Sequence, residues 1–522
     1  MTAGTDSERA PLLGEGAESG SHHGSTANGH SVDTHAHDTT LLPTTRDISP
    51  SRRLLIAAIL LLLCISLAIS GSLVDTSMYE IMEGIICDRV HGADAGDRDC
   101  KDTDVQAQLS SIMGVLNSAT MAPGLVFTVP YGALADRYGR IKILGLAMLG
   151  ITLYMAATAV VLARPDVFSL KLIWLCPLFQ AVGGGLMVAN SMVYTAVADI
   201  ATDEQRSSAF MYIGSMFMAG ILIARPITYF VMNQSAWLAM KVGIVWLSIT
   251  TVIAFCVPET LNIQAAVETA PVTVETPTDD KSKLGKMFAN AKASLIKTTK
   301  TVRWLFWEQR LVGFLLIGLS FEILGKAIEF IAPQYLAKRY NLSYQKVGLV
   351  KSVDTITSLV LLLAILPVAG HLLTKKLGLS AREKDLRLAQ ASAVVAALGT
   401  LVVALSDNIP ELIAGMVTFN LGGGYTFVLR GLMTSLVAGH SIGLMYSCIA
   451  CVENVIFLVA PMFYAWLFNR GLESWIGLPY MVSGLILVAA AVLIGVIRAS
   501  IVGDASTVGD GDETRDEARP ER

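Results

Sequence analysis

The residues of this sequence best suited to chemistry are ionisable ones embedded in apolar runs. Glu322, Lys326 and Glu329 interrupt one such run, and their i, i+4, i+7 spacing sets them on one stripe of a helix. Lys351 and Asp354 stand three apart in the next run, Glu453 sits beside Asn454 near the middle of another, and Arg225 lies in a fourth. A charge at a bilayer centre costs roughly 2.5–3.5 kcal/mol on insertion scales, so such residues face partners or a wet cavity. Carboxylates in that position suit reversible proton binding. Glu322 with Lys326 reads equally as a static intrahelical pair, and Lys351 with Asp354 as a pair snorkelling to the interface. Glu453 has no cation within one turn of its own helix, which makes it the first candidate for proton coupling and Glu322 the second. Asn117, Gln180, Asn190 and Asn420 can hydrogen-bond a solute in a cavity, or one helix to another. No nucleophile–base pair, metal-ligand cluster, P-loop or dinucleotide fingerprint stands out, so no enzyme activity, cofactor or metal is expected.

The elements that must position these residues are membrane helices. The chain has 522 residues, of which 53% are hydrophobic and 16% charged, and its mean hydropathy is +0.57. A soluble protein carries near a quarter charged residues. Apolar segments fall at 54–74, 109–131, 141–163, 170–192, 207–231, 236–257, 309–333, 346–368, 388–406, 409–430, 441–467 and 476–498. Each is long enough to span as a helix, whereas a barrel would show alternation over ~10 residues. The reading is an all-α membrane protein of twelve transmembrane helices. Residues 1–50 form a polar tail, 51–260 one six-helix half, 261–308 a Lys-rich linker, 309–500 the second half and 501–522 an acidic tail. The net charge of −4 gives no sign of a nucleic-acid surface. The expected partners are the bilayer, a small molecule and protons, with the chain acting as a monomer.

Charge asymmetry orients the chain. Arg52 and Arg53, then Arg137, Arg140 and Lys142, then the Lys281–Arg303 cluster, then Lys375 to Arg387 all fall on one side, which the positive-inside rule makes cytoplasmic. Both termini are then inside, and an acidic loop from Asp88 to Asp104 is outside. Cys87 and Cys100 alone occupy that loop, which points to a disulfide closing it; two free thiols are the alternative. Asn233 and Asn341 head glycosylation sequons in loops too near the bilayer for either to be used. In the first tail, His22, His23, His30, His35 and His37 read as solvated residues with at most adventitious metal binding. Glu8 followed by Leu12-Leu13 matches an adaptor-read sorting string, so the vacuolar membrane is an alternative to the plasma membrane.

Two landmarks recur at nearly one offset. Gly132 and Gly370, each at the end of an apolar run, are 238 residues apart; Gly183-Gly184-Gly185 and Gly422-Gly423-Gly424 are 239 apart. Two homologous halves around a central site follow. In the first copy, Gly132-x-Leu134-Ala135-Asp136-Arg137-x-Gly139-Arg140 resembles the loop 2–3 signature of the major facilitator superfamily. Glu83 with Cys87, Val257-Pro258-Glu259-Thr260 and Lys384-Asp385 resemble its fungal members, which are distantly similar to the proton-coupled folate and haem-carrier group. The resemblance covers roughly residues 50–500. It implies a two-halved carrier working by alternating access, in which Gly132 lets helices approach closely and Asp136, Arg137, Gly139 and Arg140 latch the halves on the cytoplasmic side. A topology anchor is the plainer reading of those charges. The second copy replaces Asp136 with Thr374 and Gly139 with Leu377. Fungal relatives often export biosynthetic products; a nutrient importer and a transporter-like sensor are the other readings. Arg225-Pro226 stands where drug antiporters carry Gly-Pro, which counts against the usual drug:proton antiport.

Overall fold

The computed structural model describes residues 50–92, 99–200, 206–260, 310–375, 381–437 and 442–516. The N-terminal tail with its histidines and sorting string, the 261–308 linker and Leu377 lie outside these residues.

Twelve helices among them are long and apolar enough to cross a membrane. They are α1 (Leu54–His91), α2 (Thr103–Tyr138), α3 (Arg140–Ala163), α4 (Leu170–Ile200), α5 (Tyr212–Met232), α6 (Ala236–Cys256), α7 (Arg310–Phe330), α8 (Tyr344–Leu373), α9 (Arg382–Leu405), α10 (Ile409–Leu436), α11 (Met445–Glu473) and α12 (Leu478–Ala499). Helices satisfy every backbone group internally, which a bilayer demands. α1 to α6 form one half and α7 to α12 the other. Within each half α1 packs on α5 and α6, and α9 on α10 and α12; α2 against α11 and α5 against α8 join the halves.

The largest departure from the sequence reading is α1, which runs seventeen residues past Val74, the end expected for it, to His91. Residues 75–87, expected to lie beyond the first span, are thus helix, with Met78, Met82 and Ile86 buried along the extension; of the acidic stretch only Asp88–His91 and Thr103–Asp104 are helical among the described residues. α2 likewise starts early, at Thr103, where the Asp102 carboxylate accepts from the Thr103 N–H at 2.7 Å. Cys87 and Cys100 are bonded, with their Cα atoms 5.2 Å apart, and so tie the two extensions together. At the other extreme of the chain the last helix continues to Asp516, so no helix end marks the passage from the span into the acidic tail.

The glycine triplets mark equivalent breaks. α4 opens as a 3-10 helix over Leu170–Ala181, and Gly183, Gly184 and Gly185 then take φ of 85°, 81° and 71° before the α-helix resumes. A Cβ on Gly183 would lie 2.3 Å from the Ala147 nitrogen of α3. α10 is interrupted at Gly422 and Gly423, and a Cβ on Gly422 would lie 2.5 Å from the Ala396 nitrogen of α9. Each triplet therefore brings a helix against the backbone of the preceding one.

Two further irregularities sit beside charged residues. α7 tightens into a 3-10 turn at Ala327–Phe330, and α8 is interrupted at Lys351 before a π-turn at Leu361–Ile365.

Candidate functional site

Between the halves lies a cavity of about 190 Å³ whose lining includes Met218 of α5, Lys326 and Glu329 of α7, Ser358 of α8, and Asn420 and Phe427 of α10. The 3-10 turn sends Glu329 away from the Glu322–Lys326 stripe and toward α8. There the Lys351 ammonium pairs with Glu329 and lies 3.1 Å from Asp354. Asn420 donates to the other Asp354 oxygen at 2.7 Å and accepts from Ser358 at 3.3 Å. Lys351 is buried, so its role is internal and it does not snorkel. Glu322 is 1% exposed; it pairs with Lys326 and accepts from the Thr426 hydroxyl at 2.9 Å. A buried pair broken on one side costs far more than the intact pair contributes, which explains why each of these charges has several partners.

Arg225 reaches the cluster from the other half. One guanidinium nitrogen donates to the Gly348 carbonyl at 3.2 Å, and Asp354, Glu329 and Asp75 all lie within its electrostatic range. Asp75, on the α1 extension, is solvent-exposed yet faces Arg225, Tyr79 and Tyr154. That combination places it on an internal wet surface. Lys326 and Glu329 line the cavity; counted with the charged groups linked to them, there are four carboxylates (Asp75, Glu322, Glu329, Asp354) and three cations (Arg225, Lys326, Lys351). One negative charge is in excess.

Glu453 is not without a cation, as its own helix suggests, because Arg430 of α10 pairs with it. Asn117 lies against the Tyr79 hydroxyl, and Asn190 is exposed on α4. Gln180 is buried against the glycine turn, where a Cβ on Gly185 would strike its side-chain oxygen. Asn233 and Asn341 are exposed in short connections at the end of the bundle that carries the disulfide.

At the opposite end, the loop signature binds within its own half. Arg140 lies 2.7 Å from Asp199 of α4 and 3.5 Å from Asp136. Glu259 caps α3 by accepting from the Arg140 N–H at 2.9 Å. Asp136 and Arg137 are exposed, and a Cβ on Gly132 would meet nothing within 4 Å. The close approach expected at Gly132 is thus absent from this conformation. Gly139 has φ 111°, and a Cβ there would lie 2.1 Å from a Glu259 oxygen. Gly139→Ala should therefore cost roughly 1–3 kcal/mol in backbone strain alone and unseat the cap. A thermal unfolding temperature equal to wild type would show that this junction does not matter to stability.

The hydrogen bonds and ion pairs described between the halves lie toward the disulfide end. Tyr344 meets Glu83, Lys338 meets the Lys101 carbonyl, Asn469 meets Ser110 and Ser111, and Tyr79 meets the Phe330 carbonyl. The halves are joined there.

Asp75, Glu83, Lys101, Asp199, Thr426 and Arg430 were not foreseen as site residues. For Asp75 a signal existed, in the apolar residues that continue around it. Arg430 and Thr426 could be assigned only by knowing which helices face each other.

The architecture has known counterparts. The human organic anion transporter TETRAN superposes with a TM-score of 0.55 at 14% identity, over 85% of this chain and 99% of that one. A bacterial homologue of the iron transporter ferroportin, in an inward-facing state, gives 0.58 at 11% identity, over 85% and 99%. In sequence, the MFS efflux pump atnC of Emericella nidulans is 26% identical over 86% of this chain and 90% of its own length. The MFS-type transporter avaK of Aspergillus versicolor is 26% identical over 80% and 87%. The Major Facilitator Superfamily profile matches residues 102–461. With twelve spans in two halves and a charged cavity between them, this chain belongs to the Major Facilitator Superfamily of membrane transporters.

Proposed function

We propose that the protein is a secondary active carrier that moves a small organic solute by alternating access and couples that movement to protons. The observation that carries this reading is the charge cluster at the cavity. Two carboxylates, Glu329 and Asp354, share the single ammonium of Lys351. Two carboxylates on one ammonium leave this group with a formal charge of one negative. The excess negative charge is then the element a proton can cancel and return on the other side.

The disulfide and the distribution of basic residues support placing the joined end outside and the loop signature in the cytoplasm. In that orientation both termini are cytoplasmic and the conformation is inward-facing. The Asp136–Arg140 segment, exposed in this state, would meet the second half when the cytoplasmic side closes. Relatives named as efflux pumps support export; the cargo class we propose is a fungal secondary metabolite and the location the plasma membrane.

The test is flux in liposomes containing the purified protein, with a pH gradient imposed in either direction and a library of fungal metabolites offered as cargo. A cargo should accumulate on the acidic side when exchanged against protons, and collapse of the gradient with an ionophore should abolish the accumulation. Gradient-independent equilibration of every cargo would make the protein a uniporter, and flux of none would remove the transport reading. A second expectation concerns the loop. Arg140→Ala and Asp136→Asn should cut transport at normal abundance, and wild-type rates in both would reject a gating role.

A further inference from the structure

The contacts that join the halves at the disulfide end lie outside the Glu329–Lys351–Asp354 group, and their links converge on one residue. Glu83 of α1 is 7% exposed and accepts from the Lys101 ammonium at 2.7 and 2.8 Å, from Gln106, and from the Tyr344 hydroxyl at 3.4 Å. The same ammonium stands 4.5 Å over the centre of the Tyr344 ring, whose other face partner is Tyr79 at 5.5 Å. The Lys101 backbone carbonyl accepts from Lys338. Glu83, Lys101, Gln106 and Tyr79 belong to the first half, Tyr344 and Lys338 to the second. Lys101 thus meets the second half twice, by its side chain at Tyr344 and by its main chain at Lys338.

What holds Lys101 at this height is the residue before it. Cys100 is bonded to Cys87, which lies one turn beyond Glu83 on α1, and the Cys100 carbonyl accepts from Gln106 at 3.1 Å. The covalent bond and the Glu83 pair therefore clamp the Cys100–Lys101 segment between α1 and α2.

We propose that Lys101, set in place by the Cys87–Cys100 bond, is the positioning residue that holds the disulfide end of the bundle shut. The proposal rests on the reading that the halves move against each other, but not on the cargo or the coupling ion. Separation at this end requires Tyr344 to leave both Glu83 and the ammonium, and Lys338 to leave the Lys101 carbonyl. Removing the ammonium abolishes one of the three contacts, that with the Tyr344 ring, and leaves Glu83 a buried carboxylate without its cation, which favours separation. Because Ser110, Ser111 and Asn469 still join α2 to α11, the consequence is a shifted population and not a permanently open protein.

The experiment measures the width of this end directly. Spin labels are placed by Asp166→Cys, in the α3–α4 connection, and Glu473→Cys, at the end of α11, both exposed. The five free cysteines Cys64, Cys176, Cys256, Cys448 and Cys451 are replaced, Cys87 and Cys100 are kept, and a maleimide label is used. Distance distributions by double electron–electron resonance are then recorded in nanodiscs. Lys101→Met should raise the ratio of the long to the short distance by roughly tenfold, the value of one charge-assisted contact. Lys101→Arg, which keeps charge and donor, should leave the distribution near that of the parent. Cys87→Ser with Cys100→Ser should move it in the same direction as Lys101→Met. Monodispersity and an unfolding transition like the parent's separate a shift from a folding defect. An unchanged distribution in Lys101→Met overturns the proposal. A shift there with none in the double serine variant overturns the part assigned to the disulfide. Both results stand apart from the flux assay, since neither needs a transported cargo.

Discussion

Lys351→Ala is expected to abolish transport and to lower the yield of monodisperse protein severalfold. Lys351 is buried and holds Glu329 and Asp354 together, with Asn420 bonded to the latter. Truncating one partner of a buried ionic group costs about 3–5 kcal/mol, because uncompensated charge is left behind. Set against a typical stability of about 5–15 kcal/mol, that is a large share. Folding and function can be told apart by neutralising the whole group. Glu329→Gln, Lys351→Met and Asp354→Asn combined remove the orphaned charges along with the pairs, and similar replacements elsewhere are often neutral in stability. The triple variant should recover the yield and remain inactive. Normal gradient-driven accumulation by the triple variant would show that the cluster is only structural.

Asp354→Asn should produce a different defect, in which accumulation driven by a pH gradient disappears while cargo exchange at equal pH survives. Asparagine imitates a carboxyl that never releases its proton; its one oxygen can still accept from Lys351 or from Asn420, and its amide group displaces the other donor. The carrier can then shuttle cargo without shuttling charge. Glu453→Gln should leave coupling in place, since Glu453 already has Arg430 to itself. Glu322→Gln should damage folding more than coupling, because its carboxylate is enclosed by Lys326 and Thr426. Intact accumulation in both Asp354→Asn and Glu329→Gln would move the proton site elsewhere, with Asp75 the next to test.

These assignments reverse the order that spacing alone supports, and the reason is physical. The spans were legible because an apolar window of about 20 residues is a local property. The pairing of Lys326 with Glu322 was legible for the same reason, being one turn along one helix. Arg430 with Glu453 joins α10 to α11, and Lys351 with Glu329 joins α8 to α7 across a turn that rotates Glu329 out of its stripe. No periodicity encodes either contact. The length of α1 was hidden by its own chemistry, since Asp75, Glu80 and Glu83 look like the start of a loop. The close approach expected at Gly132 is not seen: a Cβ there would meet nothing within 4 Å in this conformation. Gly183 and Gly422 succeeded because positive φ or backbone contact within a half persists whichever way the halves lean.

The bond between Cys87 and Cys100 also bears on how the protein is made. Cys87 lies in α1 and Cys100 in the connection just before α2, so both leave the ribosome before the ten spans from α3 onward exist. The hairpin of α1 and α2 can be covalently closed as soon as its connection reaches an oxidising lumen, with nothing from the second half required. A chain inserted upside down would leave both thiols in a reducing compartment and stay open. Electrophoretic mobility without reductant, compared between nascent and mature chains, would then report topology from the earliest stage of biogenesis.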